Sequence, residues 1–180
     1  MVFPAAYDRG IEHRAETMGM KKTAEERAEI VARALRTGKM ANTLAKALAT
    51  RYAYRWRFVD FRGPKGEESA GVVDIVAIRK SSKKPNIEGL KELDLFDIIL
   101  IQVKGGKAAR PSSSDVERLK LVGREYKAKA IVLFEWNKEK GISRFLKLDE
   151  SIALPNDQWG QATAAKLFGR PAKSKKDDET

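Results

Sequence analysis

The segment 97–104, DIILIQVK, constrains the fold more than any other part of the chain. Its apolar residues fall at successive positions rather than at alternate ones, until Gln102 and Lys104 end the run. A strand that is apolar on both faces is covered by other elements on both sides. Similar short runs, VVDIVAIR at 72–79 and AIVLFEW at 130–136, predict two more buried strands. The sequence therefore predicts an α/β fold with helices on both faces of a sheet.

Two helices are predicted before the first strand. Thr23 and Glu26 match a capping box at the start of TAEERAEIVARALRTG, and the apolar residues that follow have helical spacing. Gly38 is a typical helix stop, so we expect a break there. Helical spacing then resumes in KMANTLAKALATRY at 39–52, which predicts a second helix.

The remaining elements predict a mixed sheet. YAYRWRF at 52–58 alternates aromatic with basic residues and predicts a strand. Ser114 and Glu117 match a second capping box, which opens a helix between two buried strands. GISRFLKL at 141–148 predicts an edge strand, and a short terminal helix is expected within 154–168. Three successive strands, a crossover helix and a further buried strand predict a mixed β-sheet flanked by helices.

The length of 180 residues predicts one domain, which we place at 23–168. Residues 1–22 are expected to be an N-terminal extension, and 169–180 a disordered charged tail. No apolar run approaches the roughly 20 residues that span a membrane, and 1–22 lacks a stretch of signal-peptide length. The absence of cysteine excludes disulfides and thiolate metal sites. We therefore expect a cytoplasmic protein with no membrane partner.

The charge of the chain favours nucleic acid as a partner. There are 36 Lys and Arg residues against 25 Asp and Glu, a formal net charge of +11. Lys107 and Arg110 follow the DIILIQVK strand in a glycine-containing loop, where they are placed to contact a phosphate backbone. Arg55 and Arg57 are expected on one face of the strand at 52–58 and are candidates for the same role. The alternative for all four residues is a solvated basic surface.

Three side chains indicate chemistry at the end of the buried strands. Asp74 interrupts the run GVVDIVAI, where a charged carboxylate is costly unless it is paired, hydrated or bound to a cation. Gln102 and Lys104 share one face of the next strand, because residues i and i+2 do so. The main-chain carbonyl of Val103 lies between them. Carboxylate, carbonyl and amide oxygens suit Mg²⁺, and a nearby lysine can activate water or stabilise a charged phosphate.

This arrangement is suited to metal-assisted phosphodiester hydrolysis. The structural alternative for Asp74 is a strand-end residue that caps a turn or pairs with a lysine. Two other classes of chemistry are disfavoured. GPKGEES lacks the Walker spacing, so no nucleotide cofactor is expected. His13 is the only histidine, which argues against a serine–histidine triad and against multi-histidine zinc sites.

The stretches GVVDIVAI, DIILIQVKGG, a helix and AIVLFEW together resemble the PD-(D/E)xK nuclease superfamily, over roughly residues 38–148. Asp74 matches the first acid of that family, and Gln102 and Lys104 match the second motif in its QxK form, which is also seen in Mrr-type restriction enzymes. The layout is similar to archaeal Holliday-junction resolvases as well. The resemblance implies a restriction-endonuclease-like fold, a Mg²⁺- or Mn²⁺-dependent DNA endonuclease and, by analogy, a homodimer.

The chain departs from the family pattern in two places. Resolvase-like members carry a glutamate on the first core helix, where this chain has Asn42, and Glu67 or Glu68 are candidates to replace it. Gln102 is neutral where many members have a carboxylate, which leaves Asp74 as the one anionic ligand. Two alternatives therefore stay open. One is a catalytically inactive module of the same fold that binds nucleic acid, and the other is a structural or assembly protein with no nucleic-acid partner.

Overall fold

The computed structural model of the chain describes residues 23–61, 71–150 and 159–170. Within these ranges no helix is long and apolar enough to cross a bilayer. The predicted extension at 1–22, the candidates Glu67 and Glu68, and residues 171–180 of the predicted tail lie outside the described part of the chain. The elements in chain order are α1 Ala24–Thr50, β1 Arg57–Asp60, β2 Ile75–Lys80, β3 Phe96–Gly105, α2 Ser113–Glu125, β4 Ala130–Asn137, β5 Ile142–Leu148, β6 Trp159–Ala162 and α3 Ala164–Phe168.

Helix α1 is continuous, so the predicted break at Gly38 is wrong. The capping box of Thr23 and Glu26 is present and starts the helix as predicted. Ile30 and Ala41, which lie on either side of the glycine, are about three helical turns apart and are therefore on the same side of a continuous helix. A glycine in a helix costs about 1 kcal/mol relative to alanine, and the burial of Ala41 and later residues against the sheet outweighs that cost.

The six strands form one sheet in the order β1-β2-β3-β4-β5-β6. Every neighbouring pair is antiparallel except β3 and β4, which are parallel and are connected by α2. A parallel pair requires a crossover connection, which explains why a helix separates these two strands in the sequence. The fold is therefore α/β, with a mixed sheet flanked by helices, and this prediction is confirmed.

Each face of the sheet has its own hydrophobic core. On one face, Ile101 of β3 belongs to the same buried cluster as Ala45 of α1, and Phe168 of α3 completes that cluster. On the other face, Ile131 of β4 packs in a cluster with Leu119 of α2. Helices thus cover the sheet from both sides, which is what the doubly apolar run at 97–104 predicts.

The predicted strand at 52–58 is wrong over most of its length, because only its last two residues belong to β1, Arg57–Asp60. Arg55 has a positive φ of 64°, a backbone conformation that interrupts an extended run. Arg55 and Arg57 therefore do not share a strand face, as the alternating pattern had predicted. The predicted terminal helix at 154–168 is also only partly present: Trp159–Ala162 pairs with β5 as strand β6, and only Ala164–Phe168 is helical.

The start of α2 differs from the prediction by two residues. Its N-cap is Ser112 and the capping-box partner is Asp115, whereas Ser114 and Glu117 were predicted. Both pairs have the required spacing, since serine precedes an acid by three residues in each case. The earlier pair is used because it caps the longer helix, and Pro111 before it favours extended backbone up to the cap.

Candidate functional site

A cleft of about 580 Å³ lies at the end of β3, and four of the predicted site residues line it: Asp74, Gln102, Val103 and Lys104. Helix α1 forms one wall through residues of its first four turns: Ile30, Arg33, Ala34, Thr37 and Gly38. The glycine-containing turn after β3 contributes further lining, including Lys107. The convergence that the sequence predicted for Asp74, Gln102 and Lys104 is therefore present in the fold.

Asp74 lies immediately before β2 and is half-buried. Its Oδ2 atom accepts a hydrogen bond from the Val103 backbone N–H at 2.6 Å, and its own backbone N–H donates to the carbonyl of Ile101 at 3.0 Å. The carboxylate therefore binds β3 at the point where β2 stops pairing with it. The N–H and C=O of one residue in a strand point to the same side, so the Val103 carbonyl faces the edge that Asp74 occupies.

Gln102 is only 6% exposed, and its Oε1 atom is buried without a hydrogen-bond partner. An unsatisfied buried acceptor costs about 1–3 kcal/mol, and native structures tolerate few of them. A cation or a hydrogen-bond donor supplied by a ligand would satisfy this oxygen. The Gln102 oxygen is therefore available as an acceptor to such a ligand.

Lys104 is half-buried and lies directly across from Glu135 in the parallel pairing of β3 with β4. Its charge also reaches the first turn of α2. The pKa of the Asp115 carboxyl is lowered chiefly by hydrogen bonds from Ser112, and the positive charge of Lys104 lowers it further. Lys104 therefore lies at the end of the sheet that faces the first turn of α2, and it lines the cleft.

The donor atoms of the cleft fit a hard cation such as Mg²⁺ or Mn²⁺. The donor set comprises the Asp74 carboxylate, the Val103 carbonyl and the orphaned Gln102 oxygen, all oxygen ligands. Over residues 23–61, 71–150 and 159–170 there is no group of three or more acidic or histidine side chains placed to hold a metal ion. A cation here would keep most of its charge and several waters, so its affinity would be low.

The candidate auxiliary residues are placed differently from one another. Asn42 is buried, at 4% exposure, on the α1 face that packs against the sheet. Its neighbour Ala41 touches the end of β3, because a Cβ built on Gly105 would lie 2.9 Å from the Ala41 Cβ. Asn42 is not among the residues that line the cleft, and the α1 residues that do line it lie between Ile30 and Gly38.

The predicted basic residues divide into two groups. Lys107 lines the cleft and is exposed, and Arg110 lies in an adjoining cleft where it pairs with Glu135. The end of β1 near the site is Asp60, because Asp60 pairs with Ile75, the residue after Asp74. Arg57 is exposed at the other end of β1, about 10 Å along the strand from Asp60. The fold therefore brings Lys107 and Arg110 to the site and leaves Arg57, with the preceding Arg55, remote from it.

Two charged residues near the site were not identified from the sequence. Glu135 of β4 and Arg144 of β5 are Cα partners in the antiparallel pairing, and the Arg144 Nε atom lies 2.8 Å from Glu135 Oε2. A signal was present, because Glu135 is the one charged residue in AIVLFEW, just as Asp74 is in GVVDIVAI.

No family model matches the chain, and no curated protein or solved structure matches it either.

Proposed function

We propose that this protein is a metal-dependent DNA endonuclease of the PD-(D/E)xK type, which hydrolyses phosphodiester bonds. The observation that carries the proposal is the shared cleft at the end of β3. Asp74, the unpartnered Gln102 oxygen and Lys104 come from segments some 30 residues apart and meet in one place. A purely structural role would not require a carboxylate, an orphaned amide oxygen and a lysine at the same strand end.

In this proposal Asp74, the Val103 carbonyl and Gln102 would hold Mg²⁺ or Mn²⁺. When bound, the metal supplies Lewis-acid stabilisation of the charge that develops on the phosphate. The hydrogen bond from the Val103 N–H fixes the Asp74 carboxylate in a single orientation, which reduces the reorganisation needed for catalysis. Lys104 orients or deprotonates the attacking water and stabilises the negative charge of the phosphate in the transition state.

The element order supports the same proposal. A helix, three antiparallel strands, a crossover helix and a strand parallel to the third follow one another as the resemblance implies. The net charge of +11 supports a polyanionic substrate. A homodimer is proposed by analogy alone, since nucleases of this kind often pair to cut both strands.

A second candidate function is a catalytically inactive module that holds DNA in the same cleft. It is favoured by the small number of anionic ligands. The described lining of the cleft holds two carboxylates, Asp74 and Glu139, and Glu139 pairs with Lys107. Glu67 and Glu68 decide between the two candidates if either supplies a second carboxylate. Replacing both with alanine should abolish metal-dependent cleavage in that case, and leave it unchanged otherwise.

The proposal is tested by cleavage of labelled DNAs: a four-way junction, a flap, a single strand and a supercoiled plasmid. Each is incubated with Mg²⁺, Mn²⁺ or EDTA. We expect metal-dependent cutting that is lost in Lys104→Ala, a loss of about 100-fold or more for removal of a general acid–base or charge-stabilising group. The matched control is Lys147→Ala, because Lys147 is exposed near the end of β5 that lies away from Lys104 and does not line the cleft.

Each outcome has a defined meaning. Cleavage that survives in Lys104→Ala would overturn the assigned active site. Equal loss in Lys104→Ala and Lys147→Ala would mean that general charge rather than the cleft determines activity. An absence of cutting under every condition, together with salt-sensitive DNA binding, would establish the inactive binding module in place of the nuclease.

A further inference from the structure

A second cleft, of about 350 Å³, adjoins the first and continues it along the end of the sheet. The two clefts share Lys104, Gly106, Lys107, Ala108 and Glu139. Lys104 therefore stands between them and faces both. A strand of nucleic acid held at the first cleft would pass Lys104 into the second.

The lining of the second cleft is strongly basic. Five cationic side chains (Lys104, Lys107, Arg110, Lys140 and Arg144) face two acidic ones (Glu135 and Glu139), an excess of three positive charges. These residues come from the end of β3, the loop before α2, β4, the β4–β5 turn and β5, so the cluster is not visible in the sequence. A concave site with this charge raises the local concentration of anions.

Glu135 orders the two arginines of the cluster. Arg110 donates to Glu135 Oε1 through Nε at 2.5 Å and to Oε2 through Nη2 at 3.4 Å, and Arg144 donates to Oε2 through Nε at 2.8 Å. The Glu135 side chain is 14% exposed, whereas those of Arg110 and Arg144 are 47% and 41% exposed. The carboxylate thus lies beneath two guanidinium groups that present themselves to the cleft.

The pair of arginines has unused capacity for a second anion. A guanidinium carries five N–H donors, and the contacts to Glu135 engage two on Arg110 and one on Arg144. Two positive charges also exceed the single charge of Glu135. Two oxygens of a phosphate group can accept hydrogen bonds from one guanidinium group at the same time, as the two oxygens of a carboxylate can.

We propose that the second cleft binds a phosphodiester of the DNA strand next to the one held at Lys104, with Arg110 and Arg144 as the contacting residues. Glu135 is a positioning residue, which fixes the two guanidinium groups without touching the DNA. The identity of the ligand as DNA rests on the proposed function. The phosphate site itself rests on the charge and geometry of the cleft.

The test compares two double variants that remove the same charge. Arg110→Ala with Arg144→Ala removes the proposed contacts, and Lys83→Ala with Lys84→Ala removes two exposed lysines from the loop at the opposite end of β3. Binding to labelled single-stranded and duplex DNA is measured by fluorescence anisotropy in EDTA over a range of salt concentrations. The use of EDTA separates binding from any cleavage.

We expect the arginine double variant to reduce the slope of log K against log salt by about 1–2, the value for one or two lost phosphate contacts. Its Kd should rise about 10-fold or more at moderate salt, while the lysine double variant stays within about twofold of the unmodified chain. Equal weakening in both variants, or no weakening in the arginine variant, would overturn the site. Tighter binding to RNA of the same sequence would overturn DNA as the ligand.

Two further variants test whether binding depends on the geometry of the guanidinium groups rather than on net charge or on folding. Arg110→Lys with Arg144→Lys keeps the charge and a partner for Glu135, so the fold is preserved, and we expect partial recovery of affinity because lysine lacks the fork. Glu135→Gln adds net positive charge, so charge alone would tighten binding. A positioning role predicts weaker binding, by about threefold, because the guanidiniums lose their anchor. Tighter binding by Glu135→Gln would refute that role.

The outcomes also separate this inference from the proposed function. Salt-sensitive binding that depends on Arg110 and Arg144, without cleavage of any substrate, would retain the phosphate site and discard the nuclease. Lys104-dependent cleavage with unchanged binding in the arginine double variant would retain the nuclease and discard the phosphate site.

Discussion

Replacing Gly105 with alanine should destabilise the protein at the junction between α1 and the end of β3. A Cβ at this position would lie 2.9 Å from the Ala41 Cβ and 3.2 Å from the backbone oxygen of Thr37. Non-bonded carbons prefer a separation of about 3.5–4.0 Å, so the contact with Ala41 is too close by about 0.6–1.1 Å. The backbone oxygen belongs to a helix and cannot rotate away, and therefore α1 must shift from the sheet.

The magnitude follows from that overlap. Overpacking of this kind costs about 1–3 kcal/mol, and we expect about 2 kcal/mol for Gly105→Ala because both close atoms lie on one rigid helix. For a chain of this size, each kcal/mol lowers Tm by about 2–4 °C, so Tm should fall by about 4–8 °C. The matched control is Gly160→Ala in β6, where the nearest atom to a new Cβ lies 3.9 Å away. That variant should change stability by less than about 0.5 kcal/mol.

Urea unfolding followed by circular dichroism measures both variants, and a double-mutant cycle with Ala41→Gly tests the cause. Ala41→Gly alone should cost about 1 kcal/mol from helix propensity. In that background the cost of Gly105→Ala should fall by about 1 kcal/mol, because the closest contact is gone. If Gly105→Ala costs the same in both backgrounds, the proposed clash with α1 is refuted.

Two further predictions concern α2 and Glu135. Ser112→Ala should lower the free energy of unfolding by about 1 kcal/mol, because Ser112 is the N-cap of α2, whereas Ser114→Ala should lower it by about a few tenths. A larger loss for Ser114→Ala in urea unfolding would contradict the observed helix start. Burial raises the pKa of Glu135, but hydrogen bonds from Arg110 and Arg144 outweigh it and hold the pKa below its ordinary value of 4.5. The stabilisation from ionised Glu135 is therefore present above pH 4.5 and is lost as the pH falls through the lowered pKa. The difference in unfolding free energy between the unmodified chain and Glu135→Gln, measured by urea unfolding, should therefore shrink below pH 4.5. A difference that grows on acidification would contradict this sign.

The strands of the sheet centre were predictable because their signal is local. Burial on both faces produces continuous apolar runs, and the pairing of Ile75 with Ile101 and of Ile101 with Val132 lies within the runs that the sequence marks. The same local logic placed Gln102 and Lys104 on one face. Asp74 was predicted to join them because consecutive strands usually pair.

The errors at Gly38 and Arg55 have a common physical cause. Glycine and a positive φ are local features whose energies are about 1 kcal/mol or a little more, and tertiary packing decides whether they act. At Gly38 the contact of Ala41 with the end of β3 keeps the helix intact. At Arg55 the burial of Trp56 against the α1 face outweighs the alternating pattern and bends the chain before β1 begins.

The sequence by itself determined the α/β class, the central strands and the residues at the end of β3, because hydrophobic periodicity and the i, i+2 rule act within one segment. Only the tertiary structure decided that the Asp74 carboxylate binds the Val103 N–H, that the Gln102 oxygen is left without a partner, and that Arg110 and Arg144 converge on Glu135. Those contacts join residues from different strands and loops. Their geometry depends on strand pairing, on the crossover through α2 and on where β2 begins, and none of these is encoded in the pattern of a single segment.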